Sequence, residues 1–294
     1  MSLSKETTTI GFIGTGVMGK SMANHLLNAG YRVYVYNRTK EKAETLIQQG
    51  AIWSNSVQGL ASQANVIITI VGYPQDVEEI YLGEHGILNT AKPGTYVIDM
   101  TTSSPRLAKK IFQASQEKGI HALDAPVSGG DVGAREATLS IMVGGEKEDF
   151  ETVHPLLKLM GTNIVLQGKA GAGQYTKMCN QIAIASNMIG VCEAILYAKK
   201  SGLDPKNVLK SIENGAAGSW SLSHLAPRII DGDFNPGFYV KHFIKDMNIA
   251  LESAEELGVQ TPGLSLAKSL YEQLAEMGEE NSGTHALYKL LESM

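Results

Sequence analysis

Thr8-Thr9-Ile10-Gly11-Phe12-Ile13-Gly14-Thr15-Gly16-Val17-Met18-Gly19 decides the fold. Its first half is a short β-branched, apolar run and reads as a strand. Its second half is G-x-G-x-x-G. It leads into an apolar-periodic helix with Met22, Leu26 and Leu27 on one side and Gly30 as the C-terminal stop. Tyr31 to Tyr36 then reads as a second strand. A glycine pattern alone says little, but between a strand and a helix that returns to a strand it points to dinucleotide binding. Gly14 allows the tight turn, Gly16 lets the backbone reach a pyrophosphate, and Gly19 lets helix and strand pack closely. Val17 and Met18 open the helix, whose N-terminus offers unpaired N–H groups and positive dipole to phosphates.

The βα alternation continues outward from this unit. Lys40 to Gln49 reads as a helix, Val66 to Val71 as a buried strand, Gln75 to Leu82 as a short helix and Thr95 to Met100 as the next strand. Thr101-Thr102-Ser103-Ser104-Pro105 opens a further helix with hydroxyls placed for N-capping. His121 to Ala125, Ala137 to Val143 and Asn163 to Leu166 read as strands, with a helix over Glu146 to Met160. Past Lys169 the pattern is helical almost to the end, starting with one long helix from about Gly173 to Ser201. The expected fold is an α/β Rossmann-type, doubly wound nucleotide-binding domain over residues 1–169. An all-α domain over residues 170–294 follows, joined to it by the long helix.

The bulk numbers agree with this class. A chain of 294 residues suits about two domains. A net charge of -5 argues against a nucleic-acid surface, which usually carries a basic excess. The apolar run Ile182 to Ala198 is interrupted by Ser186, Asn187 and Glu193 and reads as a buried helix rather than a membrane span. Cys179 and Cys192, on one helix, stand too far apart for a disulfide. Neither has metal-ligand spacing with a histidine, so no metal site is expected. A soluble cytoplasmic protein, bound to neither membrane nor nucleic acid, is the expectation.

Three further stretches carry chemistry. Asn37-Arg38-Thr39 closes the second strand, where an NAD site usually has Asp or Glu on the ribose 2′-hydroxyl. No carboxylate stands here to repel a 2′-phosphate, and Arg38 offers a planar fork to hold one, so NADP is favoured, with NAD possible. In doubly wound sheets ligands lie beyond the carboxyl ends of the strands, which assigns Val71, Gly72 and Thr102 to the nucleotide crevice. Asp124-Ala125-Pro126-Val127-Ser128-Gly129-Gly130 offers a hydroxyl and backbone N–H groups suited to a substrate carboxylate. Gly171-Ala172-Gly173-Gln174-Tyr175-Thr176-Lys177 starts the long helix, on which Lys177, Asn180 and Gln181 share a face. Lys177 is the best group for proton transfer.

These motifs, in this order, resemble the β-hydroxyacid dehydrogenases across essentially the whole chain. That family includes 3-hydroxyisobutyrate dehydrogenase, tartronate semialdehyde reductase and the glyoxylate and succinic semialdehyde reductases. Its carriers here are Gly11 to Gly19, Asp124 to Gly130, Gly171-Ala172-Gly173 with Lys177, and Lys245-Asp246. The resemblance implies that Lys177 is the general acid/base and that Ser128, Gly129 and Gly130 bind substrate. It further implies that Lys245 contacts the cofactor and that the chain forms dimers or tetramers. Many members carry Asn four residues after the lysine. Here Gln181 holds that position and Asn180 precedes it, so either amide is a candidate substrate ligand. Lys-Met-Cys-Asn-Gln looks closer to the tartronate semialdehyde reductases, whereas Asn37-Arg38-Thr39 looks like the NADPH-using glyoxylate and succinic semialdehyde reductases. The alternative from another class is a non-catalytic dinucleotide-binding redox sensor.

Overall fold

The computed structural model describes residues 3–294. By packing, the chain divides into two units, Met1–Lys177 and Met178–Met294. The first contains a nine-stranded sheet, with strands in the order β3-β2-β1-β4-β5-β6-β8-β7 and β9 paired to β8. The elements are β1 (Thr9–Ile13), α1 (Val17–Asn28), β2 (Arg32–Tyr36), α2 (Glu44–Gln48), β3 (Ile52–Trp53), α3 (Val57–Gln63), β4 (Val66–Thr69), α4 (Pro74–Leu82) and β5 (Tyr96–Asp99). They continue with α5 (Pro105–Gln116), β6 (His121–Asp124), β7 (Val127–Ser128), α6 (Gly130–Arg135), β8 (Leu139–Gly144), α7 (Lys147–Leu157) and β9 (Gly161–Gly168). Strands β1 to β6 pair in parallel, and β1 stands between β2 and β4. The strand order reverses there, which makes the ends of β1 and β4 the crevice for a dinucleotide.

Side-chain alternation along each strand feeds two core layers. Ile10, Phe12, Val66 and Ile68 pack on one face with Met22 and Leu26 of α1 and Val153 and Leu156 of α7. Ile13, Ile67 and Val97 pack on the other with Leu60 of α3, Val77 and Tyr81 of α4 and Ile111 of α5. Helices therefore cover both faces, as the doubly wound expectation requires.

Four differences from the expected elements have local causes. β3 and α3 have no counterpart in the sequence reading. β3 is only two residues long and α3 buries only Leu60 and Ala61, so neither shows a period. Lys40 to Gln49 splits into a 3₁₀ turn, Lys40–Ala43, and α2. The strand expected from Ala137 starts at Leu139, because Ala137 takes a left-handed backbone (φ 54°) that a strand cannot contain. β6 and β7 lie along one edge of β8 in a single antiparallel register: Asp124 faces Gly144, Val127 faces Ile141 and Ser128 faces Ser140. Ser128 thus ends an extended segment that begins in β6, interrupted at Ala125-Pro126.

The second unit is helical. It is built from the body of α8 (Ala172–Lys200) with α9 (Pro205–Ile212), α10 (Trp220–His224), α11 (Ala226–Asp231), α12 (Val240–Glu256), α13 (Pro262–Leu274) and α14 (Leu287–Ser293). Asp204 and Ser219 cap α9 and α10, each accepting from a backbone N–H within the first turn. By length and composition α8 is long and apolar enough to cross a membrane, whereas its run Ile182 to Ala198 reads from sequence as a buried helix. Met178, Ala185, Met188, Cys192 and Ile195 nevertheless join the core of this unit. Phe243 meets Tyr271 edge-on at 5.0 Å within that core. Both cysteines are free thiols, Cys179 exposed and Cys192 buried.

One polar cluster lies inside the first unit. Thr69 Oγ1 donates to Asp99 Oδ1 at 2.9 Å and is itself 2.9 Å from the Tyr81 hydroxyl, while Thr101 N donates to Asp99 Oδ1 at 3.1 Å. Burial raises the Asp99 carboxyl from its ordinary 3.8 to about 6, with the Asp124 charge adding to the rise and the Thr69 and Thr101 bonds opposing it. A carboxyl that is harder to ionise in the folded chain stabilises the fold while protonated. That stabilisation is lost as pH rises through the folded value. Between pH 4 and 6.5 the unfolding free energy of the wild type is therefore expected to fall, relative to Asp99→Asn, by about 2 kcal/mol. Denaturant unfolding of both proteins across that range checks it, and parallel curves would contradict it.

Candidate active site

The glycine loop after β1 divides its work among three residues. Gly14 sits at φ 97°, and a Cβ there would lie 2.0 Å from the Ile70 carbonyl oxygen. A Cβ at Gly19 would lie 1.9 Å from the Gly14 oxygen and 2.9 Å from Ile70 Cγ2. Both positions are closed by the protein itself. A Cβ at Gly16 would meet nothing within 4 Å. Gly16 caps α1, so this open space lies at the helix N-terminus. That arrangement suits a pyrophosphate. Among the described residues, the Thr15 hydroxyl is buried without a partner, and so is the Ser103 hydroxyl beyond β5. Orphaned polar atoms at strand ends fit a polar ligand.

The residues expected to read the ribose lie beyond β2. Asn37 is a brace: its Oδ1 accepts from Thr15 N at 3.2 Å and its Nδ2 donates to the Thr39 carbonyl at 2.9 Å. It ties the glycine loop to the turn that carries Arg38. Arg38 is largely exposed and forms a two-pronged pair with Asp76 in the first turn of α4, at 2.9 and 3.5 Å. The Asp76 carboxylate also lies beside Gly72, 3.4 Å from where a Cβ would stand. The missing carboxylate of this turn is thus supplied from another element. Val71 N donates to Thr101 Oγ1 at 3.0 Å, which binds the loops after β4 and β5 together beside Thr102.

The start of α8 is fixed by Asp124, at the end of β6. Asp124 Oδ1 accepts from Gly171 N at 2.7 Å and Oδ2 from Gln174 N at 2.8 Å. One carboxylate therefore caps two of the helix's orphan donors, at the positive end of its dipole. Burial pushes this carboxyl up, and those backbone N–H bonds pull it back. The approach needs glycine on both sides. A Cβ at Gly173 would stand 2.4 Å from the Met142 carbonyl oxygen and 2.6 Å from that of Asp124, and one at Gly144 would stand 2.5 Å from Asp124 Oδ1. Gly171 is left-handed, at φ 89°. Gly173 and Gly144 thus let the two backbones come close, and Gly171 turns the chain into the helix.

Gln174 follows, fully buried. Its Nε2 donates to the Thr101 carbonyl at 2.8 Å and its Oε1 accepts from Ser103 N at 2.9 Å. Lys177, one turn further along α8, is 6 % exposed, unlike the ordinary surface lysine. Ser128 is half-buried, and Gly129 and Gly130 are both left-handed, at φ 129° and 63°. Gly130 opens α6, where an N–H has no partner within the helix.

In the second unit a polar chain runs from α8 to α12. Asn180 Nδ2 donates to Gln181 Oε1 at 2.8 Å, and Gln181 Nε2 donates to Asp246 Oδ2 at 2.6 Å. Asp246 Oδ1 holds Lys245 Nζ at 2.8 Å. Gln181 is fully buried with both ends of its amide engaged, so it braces Asp246. Asn180 is the more exposed of the two amides. One turn before Lys245, His242 is held below its ordinary value by burial and by the Lys245 charge. Sequence reasoning gave no role to Asp124, Gln174, Asp76 or Asp246. Of these, Asp124, Gln174 and Asp246 were visible only as members of quoted motifs, and Asp76 in none.

Comparison with known proteins agrees with this organisation. A family model described as the NAD binding domain of 6-phosphogluconate dehydrogenase matches residues 9–168, and one described as NAD-binding of NADP-dependent 3-hydroxyisobutyrate dehydrogenase matches residues 171–291. The chain is 68 % identical to an uncharacterised oxidoreductase of Bacillus subtilis, over 96 % of this chain and 98 % of that one. It is 47 % identical to a probable mitochondrial 3-hydroxyisobutyrate dehydrogenase-like protein of Arabidopsis thaliana, over 99 % of this chain and 87 % of the relative. It is 39 % identical to the 2-hydroxy-3-oxopropionate reductase of Escherichia coli, over 97 % of both chains. Among solved structures, the Mycobacterium tuberculosis 3-hydroxyisobutyrate dehydrogenase with L-serine aligns at a TM-score of 0.88 and 30 % identity, covering 97 % of this chain and 99 % of that one.

The glycine loop yields a direct test. Gly19→Ala is expected to destabilise the fold by about 1–3 kcal/mol, because its methyl group has no room. Gly16→Ala is expected to melt within a few degrees of the wild type and to weaken nucleotide binding at least about tenfold, a loss of roughly 1.4 kcal/mol. Thermal melts alongside nucleotide titrations separate the two effects. Unchanged nucleotide affinity in Gly16→Ala would contradict the assignment.

Proposed function

The chain belongs to the NAD(P)-dependent hydroxyacid dehydrogenases of the 3-hydroxyisobutyrate dehydrogenase type, and we propose that it interconverts a small β-hydroxyacid and its semialdehyde with NADP as the favoured cofactor. The observation that carries this reading is the Asp124 clasp. It ties the start of the helix that bears Lys177 to the extended segment that ends at Ser128. The nicotinamide, when bound, supplies or accepts the hydride. Lys177 Nζ gives a proton to the developing alkoxide in reduction and takes it back in oxidation. The Ser128 hydroxyl and the N–H groups of Gly129 and Gly130 hold the substrate carboxylate. Asn180 is the amide offered to substrate, since Gln181 is committed to Asp246. Lys245, steadied by Asp246, is the second cation and contacts the cofactor.

The substrate class has support from two relatives. The Escherichia coli protein is named for reducing 2-hydroxy-3-oxopropionate, and the Mycobacterium tuberculosis structure holds L-serine. Both compounds carry their oxygen function on the carbon β to a carboxylate. Tartronate semialdehyde, with its aldehyde on the β carbon, therefore stands beside 3-hydroxyisobutyrate as a candidate, and glyoxylate and succinic semialdehyde, with carbonyls α and γ to the carboxylate, are candidates through the family resemblance alone. Assembly into a homodimer or homotetramer belongs to the same proposal. It is supported by the exposed apolar side chains Tyr197, Leu257, Val259 and Leu266 of the helical unit.

A panel of β-hydroxyacids and semialdehydes, each assayed with both cofactors, tests the reaction. Lys177→Ala is expected to lower kcat by about 10²–10⁴-fold with nucleotide affinity preserved, and a variant that keeps more than about a tenth of the rate would sink the proton-transfer role. For the cofactor, Arg38→Ala is expected to reduce the preference for NADPH over NADH at least about tenfold. Asp76→Asn should raise that preference a few-fold by freeing the guanidinium of its internal anion. Equal affinities for the two reduced nucleotides, unmoved by either substitution, would contradict the NADP reading.

A further inference from the structure

We propose that Gln174 is a positioning residue that couples the loop after β5 to the lysine helix, so that one side chain sets the nucleotide crevice and the proton donor in register. The inference rests on the proposed role of Lys177. It is carried by three hydrogen bonds made from one fully buried residue. The Gln174 N–H donates to Asp124 Oδ2 at 2.8 Å, which fixes the residue to the end of β6. Its side-chain amide donates to the Thr101 carbonyl at 2.8 Å and accepts from Ser103 N at 2.9 Å, which fixes the loop after β5. That loop is in turn bonded to the end of β4 through Thr101 Oγ1 and Val71 N at 3.0 Å. The residues assigned to the crevice, Val71, Gly72 and Thr102, lie on the two loops that this network joins. Lys177 lies one turn along the helix that starts it.

The chemistry of the amide is specific. Gln offers one donor and one acceptor at the tip of a chain that reaches both Thr101 and Ser103. Leu fills similar volume but strands a buried carbonyl and a buried N–H. Glu keeps the acceptor for Ser103 but offers Thr101 a donor only when protonated, and burial raises the pKa of such a carboxyl. A passive packing residue would respond to volume and not to the proton on Glu.

The test compares Gln174→Leu and Gln174→Glu with the wild type. In Gln174→Leu, amide hydrogen exchange at Ser103 is expected to speed up at least about tenfold. Exchange in β1 and β4 should stay near wild type. NADPH dissociation constants, read by nucleotide fluorescence, should rise several-fold. kcat should fall about tenfold or more, because misplacement of a proton donor is felt in the chemical step. In Gln174→Glu, nucleotide affinity and kcat, each as a ratio to wild type at the same pH, should recover as pH is lowered, and in Gln174→Leu they should not. The proposal is overturned if Ser103 exchange rises while nucleotide affinity and kcat stay within twofold of wild type, or if Gln174→Glu shows no pH-dependent recovery. Should Lys177→Ala keep its activity, the proton-donor reading fails on its own, and the exchange and nucleotide arms still decide whether Gln174 holds the loop.

Discussion

A buried carboxylate that borrows its positive partner from a helix end organises this protein. Asp124 is 4 % exposed and takes hydrogen bonds from Gly171 N and Gln174 N, at the start of α8. Desolvating a charge is costly unless it is hydrogen-bonded. The first turn of a 29-residue helix supplies what is needed, as unpaired N–H groups at the positive end of a dipole. The clasp explains why Gly144, Gly171 and Gly173 are glycines, since each gives the two backbones room or turning freedom. It also fixes where α8 begins. The rotational positions of Gln174 and Lys177 follow from that start, at one turn's spacing along the helix.

Other functional side chains are held by the same economy of a shared partner. Asn37 braces the glycine loop against the turn bearing Arg38. Asp76 reaches across 38 residues of sequence to hold the Arg38 fork. In the helical unit Asp246 takes Gln181 on one oxygen and Lys245 on the other. Exposed pairs such as Arg38–Asp76 contribute little to stability. The Arg38–Asp76 pair fixes the direction of the guanidinium fork. The nearly inaccessible Asp246 pair has the opposite character: removing either partner would strand a charge.

The strand–glycine loop–helix unit was legible from sequence because its signals are local: a β-branched run, a spacing of three glycines and a returning strand. Lys177 was legible through its motif, and its burial agrees with a role inside a site. β3 and α3 were not legible, because two residues of strand and a helix containing Gly59 leave no period to read. The Asp124 clasp was hidden for another reason. Its partners lie 47 and 50 residues downstream, and only the folded sheet brings the end of β6 to the start of α8. The choice between Asn180 and Gln181 stayed open in the sequence because both sit on the lysine face of the helix. It is sharpened by Asp246, 65 residues beyond Gln181, which takes Gln181 as its partner.

If the clasp sets the position of the proton donor, weakening it must slow the chemistry before it weakens nucleotide binding. Asp124→Asn keeps the shape of the side chain, removes its charge and replaces one acceptor with a donor that faces an N–H. The decisive measurement is the single-turnover rate of hydride transfer in this variant, saturated with NADPH, beside its nucleotide dissociation constant. The expected result is a rate lowered by about 10²-fold with the dissociation constant within threefold of wild type. A folded variant that transfers hydride within twofold of the wild-type rate would show that Lys177 is placed by something other than Asp124.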